Sequence, residues 1–235
     1  MKPKISIIIP TKDRWEKLQN CLKAIKDNTK VSHEVIIICD GDLKTFEKLK
    51  GKKHIIAYNS VPQEYFHCIN QGCMVATGDY IVYLADDVRV RLNWDKECIK
   101  AFEDNFKDGI GLVGMRSDLG EGETHAPHGL VSKKMVFMNT CLFPNVYKHY
   151  FGDTELSLRM QKIGKYITTK EIVFNHDHKS KDKKFDDHVY SESFKNCWKS
   201  DEIQFHLRNP ELVAGMVLIK GDRKENWFYG QWWYK

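Results

Sequence analysis

The 235-residue sequence contains no apolar run that approaches the roughly 20 residues needed to span a membrane. Its apolar run Ile5–Ile9 is also too short for the core of a signal peptide. The seven cysteines are odd in number and include no C-x-x-C pair, which argues against a disulfide framework and against a zinc knuckle. These absences predict a cytoplasmic protein in which the cysteines are small buried hydrophobic residues.

A concentrated basic stripe is absent as well. The sequence has 37 Lys plus Arg against 32 Asp plus Glu, a net charge of +5 that is spread along the chain. The basic run Lys179–Lys184 is interrupted by Asp182 and is typical of a solvated loop. We therefore expect no nucleic-acid partner, and a mild preference for small anionic ligands. With 42% hydrophobic and 29% charged residues, the composition also excludes a disordered chain and a coiled coil.

In the first half of the chain, short β-rich runs alternate with helical patterns, which is typical of βαβ units. Five strands are predicted, at Lys4–Pro10, Glu34–Asp40, His54–Asn59, Asp79–Ala85 and Gly109–Met115. Several are continuous Ile/Val runs, as expected of strands buried on both faces. Apolar stripes at helical spacing lie between the strands. The sequence predicts an α/β fold with a mostly parallel central sheet flanked by helices.

The second half begins with a long loop, Ser117–Gly129, of the length that usually serves a function. A helix is predicted at Thr154–Ile163 with Asp153 as its N-cap, and further helical structure around Asp186–Trp198. The aromatic tail from Asn226 is expected to pack on the domain, while contact with a membrane surface or with a second copy of the chain stays open. We predict one domain over residues 1–190 and a C-terminal helical and aromatic extension over residues 191–235.

Polar clusters follow three of the predicted strands, at Pro10–Arg14, Asp40–Asp42 and Asp86–Asp87. Ligands of an open parallel sheet bind at the carboxyl ends of its strands, so these clusters mark a candidate site. Adjacent Asp86 and Asp87 would repel each other if unpaired, and a hard divalent cation would resolve that repulsion. The alternative is that one aspartate caps a turn while the other is solvated.

Two histidines follow the β-like run Glu171–Phe174. His176 and His178 alternate, so both side chains point to the same side of a strand, and one of them could complete the ligands of a cation. The alternative is a pair of surface histidines in a basic loop. His125 and His128, in the long loop, are expected to be solvated or to face an acceptor.

Several segments, in this order and spacing, resemble the GT-A glycosyltransferases of the family 2 type. They are Ser6–Thr11 with Arg14, Glu34–Gly41, Asn70–Gly72 with Ala76–Asp87, Gly152–Arg159, and His176–His178. The resemblance covers about residues 4 to 190. It implies a GT-A, Rossmann-like fold with a nucleoside diphosphate sugar held over the strand ends.

The resemblance also implies roles for individual residues. The residues implied to bind substrate are Pro10, Thr11, Arg14, Asp40, Asn70, Asp86 and Glu155. Asp87 and His176 are implied as ligands of a divalent cation, Mn²⁺ or Mg²⁺, and an imidazole ligand suits Mn²⁺ better. The chain departs from many relatives by having Ala85 where they carry the first acid of the D-x-D motif.

Asp153 is implied as the catalytic base. A position at a helix N-terminus should keep its carboxylate ionised, ready to accept a proton from an acceptor hydroxyl. Glu155 is implied to lie near the acceptor. Because Glu155 and Arg159 are four residues apart, an ion pair on the helix surface is the alternative for Glu155.

Taken together, the residues and the resemblance predict a metal-dependent glycosyltransferase of the hexosyltransferase type. It would move a sugar from a nucleoside diphosphate to a hydroxyl of a glycan, a lipid-linked molecule or a protein, by direct displacement with inversion. The alternative is a non-catalytic module that only binds the nucleotide sugar, which Ala85 makes conceivable. A nucleotidyltransferase is disfavoured because no Gly-rich phosphate loop follows the first strand.

Overall fold

The structure is a computed structural model that describes residues 5–178, 182 and 188–210. The predicted aromatic tail, and the basic run apart from Asp182, lie outside the described residues. The strands are β1 (Ile5–Thr11), β2 (His33–Asp40), β3 (Ile55–Asn59), β4 (Tyr80–Tyr83), β5 (Val88–Val90), β6 (Leu112–Ser117), β7 (Gly129–Ser132) and β8 (Tyr166–His176). The helices are α1 (Trp15–Asn28), α2 (Leu43–Leu49), α3 (Tyr65–Val75), α4 (Trp94–Asn105), α5 (Lys133–Met138), α6 (Gly152–Lys162) and α7 (His188–Arg208).

All eight strands form one sheet in the order β3-β2-β1-β4-β7-β6-β8-β5. The half built from β3, β2, β1 and β4 is entirely parallel, as the alternation of strands and helices predicts. The other half is mixed: β6 and β8 are parallel, while β4–β7, β6–β7 and β5–β8 are antiparallel. Four of the seven pairings are therefore parallel, and the antiparallel ones all involve the short strands β5 and β7, which the sequence pattern did not indicate.

The continuous apolar runs are explained by helices on both faces of the sheet. Ile7 and Ile9 of β1 face a cluster that includes α1 and α4, whereas Ile8 faces a second cluster with α3, α5 and α6. Helix α3 packs closely on β1 because Gly72 has no side chain; a Cβ there would lie 2.3 Å from Cγ2 of Ile8. Six of the seven cysteines are buried, and all seven, which lie in the described part, are free thiols.

Two expectations need correction. The strand expected at Gly109–Met115 is β6, shifted to Leu112–Ser117, and β7 begins at Gly129, the last residue of the expected loop. Asp153 is not the N-cap of its helix: α6 begins at Gly152, and Phe151 takes the cap position in a left-handed conformation with φ of 66°. Asp153 therefore lies within the first turn.

Helix α7 crosses the domain boundary predicted at residue 190, since it begins at His188. Its described contacts reach the segment before α6 and α6 itself. The division of the chain into a domain and an extension stays a prediction. Within the described ranges, we find no helix that is both long and apolar enough to cross a membrane.

Candidate active site

The polar ends of β1 and β4 meet at one edge of the sheet because these strands are parallel neighbours. Pro10 is buried within β1, and Thr11 ends that strand. The Thr11 hydroxyl donates a hydrogen bond to Oδ2 of Asp86, which follows β4, over 2.8 Å. The structure thus brings together two of the predicted site residues from positions 75 residues apart in the chain.

Asp86 and Asp87 are both buried, and the protein supplies cations for them. Nη1 of Arg14 lies 3.2 Å from Oδ1 of Asp86 and 3.5 Å from Oδ2 of Asp87, and Nζ of Lys17 lies 3.7 Å from the same Asp87 oxygen. These two cations lower the repulsion between the adjacent carboxylates. Burial raises the pKa of Asp86 against the opposing charge of Arg14.

His176 lies beside Asp87 because β8 pairs with β5, in a register that sets His176 opposite Val88. Its Nε2 is 3.2 Å from Oδ1 of Asp87, and its Nδ1 is 2.9 Å from both carboxylate oxygens of Glu121. Burial opposes protonation of this ring, but Glu121 and Asp87 outweigh it and raise the pKa of His176 to about 10. The same contact, with the charges of Arg14 and Lys17, holds the pKa of Asp87 well below its usual range despite burial.

Glu121 and His128 are functional candidates that the sequence did not reveal. One possible ligand atom from each of Glu121, His128 and His176 lies within 4.8 Å of the other two, an arrangement able to hold a metal ion. His128 was expected to be solvated or to face an acceptor; it is not solvated, being 3% exposed and packed edge-on between Phe174 and His176. Burial lowers the pKa of His128 to about 4, and neither ring nitrogen has a hydrogen-bond partner among the described residues.

Asp153 is half-buried in the first turn of α6. Burial raises its pKa, with a smaller contribution from Glu121, while His125 and the backbone N–H groups of the first turn oppose the rise. Loss of hydration and the helix N-terminus therefore act on this pKa in opposite directions, loss of hydration is the larger effect, and the ionised state of Asp153 stays a prediction. A raised pKa makes Asp153 a stronger base than an exposed aspartate.

Tyr65, at the start of α3, is affected by the charges of four acidic residues of the candidate site. Burial raises the pKa of its phenol, and the charges of Asp153, Asp87, Asp86 and Glu121 add to the rise in that order. The phenolic oxygen is buried and has no hydrogen-bond partner among the described residues. Four carboxylates from three different parts of the chain therefore act on one side chain, which locates them around a common region.

Glu155 is held in a network between α6 and the end of α7. Its buried carboxylate accepts hydrogen bonds from Tyr147, from Nε of Arg159 at 2.9 Å, from Nη2 of Arg208 at 3.0 Å and from Nδ2 of Asn209 at 3.0 Å. Burial opposes its ionisation, but these donors, Arg208 foremost, lower the pKa of Glu155 to about 2. The ion pair with Arg159 is present, and contact with an acceptor stays a prediction.

Asp40 and Asn70 use their polar atoms to hold loops beside the site. The Asp40 carboxylate accepts the backbone N–H groups of Gln63 and Glu64, at 2.8 and 2.9 Å. Asn70, in α3, binds backbone and side-chain atoms of residues 142–145. Their contact with a substrate, like that of Pro10, Thr11, Arg14 and Asp86, stays a prediction.

Several known structures share this fold. A mannosyltransferase from Pyrobaculum calidifontis, PcManGT, solved with GDP-Man and Mn²⁺, is 14% identical, with a TM-score of 0.62 over 75% of this chain and 57% of its own. S. aureus TarS (residues 1–349) is 14% identical, with a TM-score of 0.59 over 74% of this chain and 60% of its own, and has also been solved with UDP-GlcNAc. The present chain thus spans less than two thirds of these proteins, and at this identity the likeness establishes the fold alone.

Comparison of the sequence with protein families identifies the family as well as the fold. A search of curated proteins gives no match. The family described as "Glycosyl transferase family 2" matches residues 6–180, a range that includes Thr11, Asp86, Asp87, Asp153 and His176. Because the matched range is well over half of the sequence and the fold agrees, this chain belongs to glycosyl transferase family 2 and has the GT-A fold.

Proposed function

We propose that this protein is a metal-dependent, inverting glycosyltransferase that transfers a hexose from a nucleoside diphosphate sugar to a hydroxyl acceptor. The observation that carries the proposal is the approach of His176 Nε2 to Asp87 Oδ1, 3.2 Å, at the carboxyl-end edge of the parallel half-sheet. Membership of glycosyl transferase family 2 gives the reaction class. The GDP-Man complex of PcManGT and the UDP-GlcNAc complex of TarS support a nucleotide sugar as the donor.

The residues present fit a divalent cation. Asp87 offers a carboxylate oxygen and His176 an imidazole nitrogen, and these two atoms lie 3.2 Å apart. A mixed oxygen and nitrogen set favours Mn²⁺ over Mg²⁺, in agreement with the Mn²⁺ complex of PcManGT. A bound cation would neutralise the charge that develops on the departing diphosphate.

The protein's own cations take part in the same step. Arg14, the N-cap of α1, and Lys17, in its first turn, project toward Asp86 and Asp87, so they would also face a diphosphate bound at this edge. Arg14 can exchange its partners from carboxylate to phosphate without leaving the site, because guanidinium binds both groups in the same planar geometry. We assign Arg14 to diphosphate binding, with Thr11 and Asp86 forming the adjoining wall of the nucleotide pocket.

Asp153 is assigned as the general base. Its raised pKa favours proton uptake from the acceptor hydroxyl, whose oxygen attacks the anomeric carbon as the diphosphate leaves. A base on the face opposite the leaving group gives direct displacement with inversion. The acceptor is a hydroxyl of a glycan, a lipid-linked molecule or a protein.

The test is release of nucleoside diphosphate from a panel of GDP- and UDP-sugars, with and without Mn²⁺, in the presence of mixed hydroxyl acceptors. We expect turnover that requires Mn²⁺ and falls about 100-fold or more in Asp87→Asn and Asp153→Asn. Asp104→Asn is the matched control, because Asp104 is exposed and pairs with Lys100 four residues away. Equal turnover of the two site variants and Asp104→Asn overturns the mechanism.

The same experiment decides the alternative of a non-catalytic module. Such a module would bind the nucleotide sugar, measured by calorimetry, in the wild type, yet release no diphosphate with any acceptor. Ala85 in the D-x-D position is the residue that makes this alternative worth testing. Binding together with Mn²⁺-dependent turnover excludes it.

A further inference from the structure

We propose that Glu121 is a positioning residue of the cation site: it binds Nδ1 of His176, so that Nε2 is the ring nitrogen left to hold a cation beside Asp87. The inference rests on the proposed function, because it takes Asp87 and His176 as the cation ligands. It adds a residue from the loop between β6 and β7 that neither a motif nor the chain's own pattern marks.

The carboxylates of Glu121 and Asp87 lie at the two nitrogens of the His176 ring. Both Glu121 oxygens are 2.9 Å from Nδ1, while Asp87 Oδ1 is 3.2 Å from Nε2. A carboxylate ion can only accept a hydrogen bond, so Nδ1 must carry a proton. With Nδ1 bound to Glu121, Nε2 is the nitrogen of His176 that can bind a cation beside Asp87.

Burial makes this hydrogen bond effective. The side chains of His176 and Glu121 are 9% and 12% exposed, so water competes little for either partner. A carboxylate that accepts the second N–H of a ligating histidine fixes the ring orientation and raises its basicity. The histidine therefore presents a defined lone pair instead of sampling two tautomers.

The backbone holds Glu121 in this position independently of any ligand. The N–H of Glu121 donates to Oγ of Ser117, and the N–H of Ser117 donates to the Glu121 carbonyl, at 3.2 and 3.1 Å. The next residue, Gly122, has φ of +89°, and a Cβ there would lie 2.2 Å from the carbonyl oxygen of Met115. The turn closes against β6 only because this residue is glycine.

The same turn also fixes the backbone of His176. Oδ1 of Asp118 accepts the His176 N–H over 3.1 Å, and the Asp118 N–H donates to the carbonyl of Phe174 over 3.3 Å. The loop therefore binds both the main chain and the ring of the histidine. Contacts to both the main chain and the ring hold His176 in one position before a cation binds, as a preorganised ligand requires.

The competing arrangement is a cation on the Nδ1 side of the ring, with Glu121 and His128 as direct ligands. The two arrangements respond differently to conservative variants. In Glu121→Gln the amide oxygen still accepts the Nδ1 proton but is a poor metal ligand. His128→Phe keeps the ring that packs between Phe174 and His176 but removes both ring nitrogens.

The experiment is a calorimetric titration with Mn²⁺ of the full chain and its variants. Glu121→Ala should weaken Mn²⁺ binding about 10- to 100-fold, Glu121→Gln should recover most of that loss, and Asp87→Asn should abolish binding. His128→Phe and the control Glu123→Gln, in the same loop but half-exposed and paired with Arg116, should bind as the wild type does. Equal losses in Glu121→Gln, Glu121→Ala and His128→Phe overturn the proposal in favour of direct ligation.

A second readout does not depend on activity. With Zn²⁺ bound and the histidines labelled with nitrogen-15, the NMR spectrum of wild type and Glu121→Gln should show His176 protonated on Nδ1 and ligated through Nε2. Glu121→Ala should show a mixture of tautomers or ligation through Nδ1, and a spectrum like that of the wild type overturns the proposal.

Failure of the proposal and failure of the proposed function can be told apart. If Glu121→Ala changes neither Mn²⁺ affinity nor the tautomer while Asp87→Asn abolishes transfer, the positioning role is wrong and the function stands. If the wild type transfers no sugar, the function is wrong, and the Mn²⁺ and NMR results still decide the role of Glu121.

Discussion

Arg208, near the end of α7, donates from Nε and Nη2 to the carboxylate of Glu155 in α6, over 3.1 and 3.0 Å. Glu155 is 2% exposed, and Arg159, Tyr147 and Asn209 also donate to it. The carboxylate therefore joins the helix that carries Asp153 to a helix that begins about 30 residues further along the chain. The end of α7 contributes to the site by fixing the position of α6.

Removal of this carboxylate should destabilise the protein. Glu155→Ala removes an acceptor from the hydroxyl of Tyr147 and one of two acceptors from Nδ2 of Asn209, so we expect a loss of about 2 to 4 kcal/mol in the free energy of unfolding, measured with urea. The control Asp27→Asn breaks an exposed pair with Lys23 and should cost less than about 1 kcal/mol. Equal stabilities of the two variants would show that the network contributes nothing.

Glu155 should also make stability depend on pH in the acid range. Its pKa is about 2 in the folded protein against 4.5 without these contacts. A lowered folded pKa gives stability that is present above pH 4.5 and is lost as the pH falls toward about 2, because the unfolded chain takes up the proton first. Over this window the unfolding free energy of the wild type should fall more steeply than that of Glu155→Gln. Parallel curves for the two proteins contradict the assignment.

The decrease in kcat/KM at low pH should reflect protonation of Asp153. Because burial raises its pKa, the base takes up a proton at a higher pH than an exposed aspartate does, and kcat/KM should fall as the pH decreases through that raised pKa. Asp153→Asn should remove this decrease together with most of the turnover, while donor affinity stays within about twofold of the wild type. An unchanged decrease at low pH in the residual activity of Asp153→Asn assigns the titration to another group.

Thr11 should stabilise the ionised form of Asp86. Thr11→Val deletes the only atom that donates this 2.8 Å hydrogen bond and leaves a buried carboxylate oxygen with one partner fewer. We expect a loss of about 1 to 3 kcal/mol at neutral pH, and Thr11→Ser, which keeps the hydroxyl, should recover most of it. Chemical denaturation at pH 8 checks both variants. A Thr11→Ser variant as unstable as Thr11→Val points to packing of the methyl group instead.

Arg14 should have opposite effects on the metal and on the donor. Its guanidinium lies 3.5 Å from Asp87 Oδ2, so Arg14→Gln removes a positive charge that repels a bound cation. In the absence of nucleotide, Mn²⁺ should bind a few-fold more tightly to this variant, whereas the nucleoside diphosphate should bind more weakly. Calorimetric titrations with Mn²⁺ and with GDP or UDP measure the two effects. A change of the same sign in both titrations contradicts the role assigned to Arg14.

Much of the parallel half of the fold is predictable from short segments. The apolar runs around Ile5–Ile9 and Glu34–Asp40 become strands buried on both faces, and the polar residues that follow them lie at one edge. These features depend on local residue patterns and on the rule that parallel strands end at the same edge. The meeting of Thr11 with Asp86 follows from the same rule.

The positions of the later elements are not predictable in this way. Strands β5 and β7 are 3 and 4 residues long, too short for a periodic signal, yet they create every antiparallel pairing of the sheet. A loop residue such as Glu121 carries no pattern at all. Its place beside His176 depends on Gly122, whose lack of a side chain lets the turn close against β6.

The sequence by itself determined the composition class, the parallel strands, the family resemblance and the pairing of Asp87 with His176 as candidate ligands. Only the tertiary structure decided the pKa values and the charged partners of the site residues. Burial raised the pKa of Asp153 against the effect of its helix, Arg14 and Lys17 neutralised the aspartate pair, and Glu121 joined His176. The physical reason is that hydration and charge depend on which distant segments surround a side chain, and local sequence does not record those neighbours.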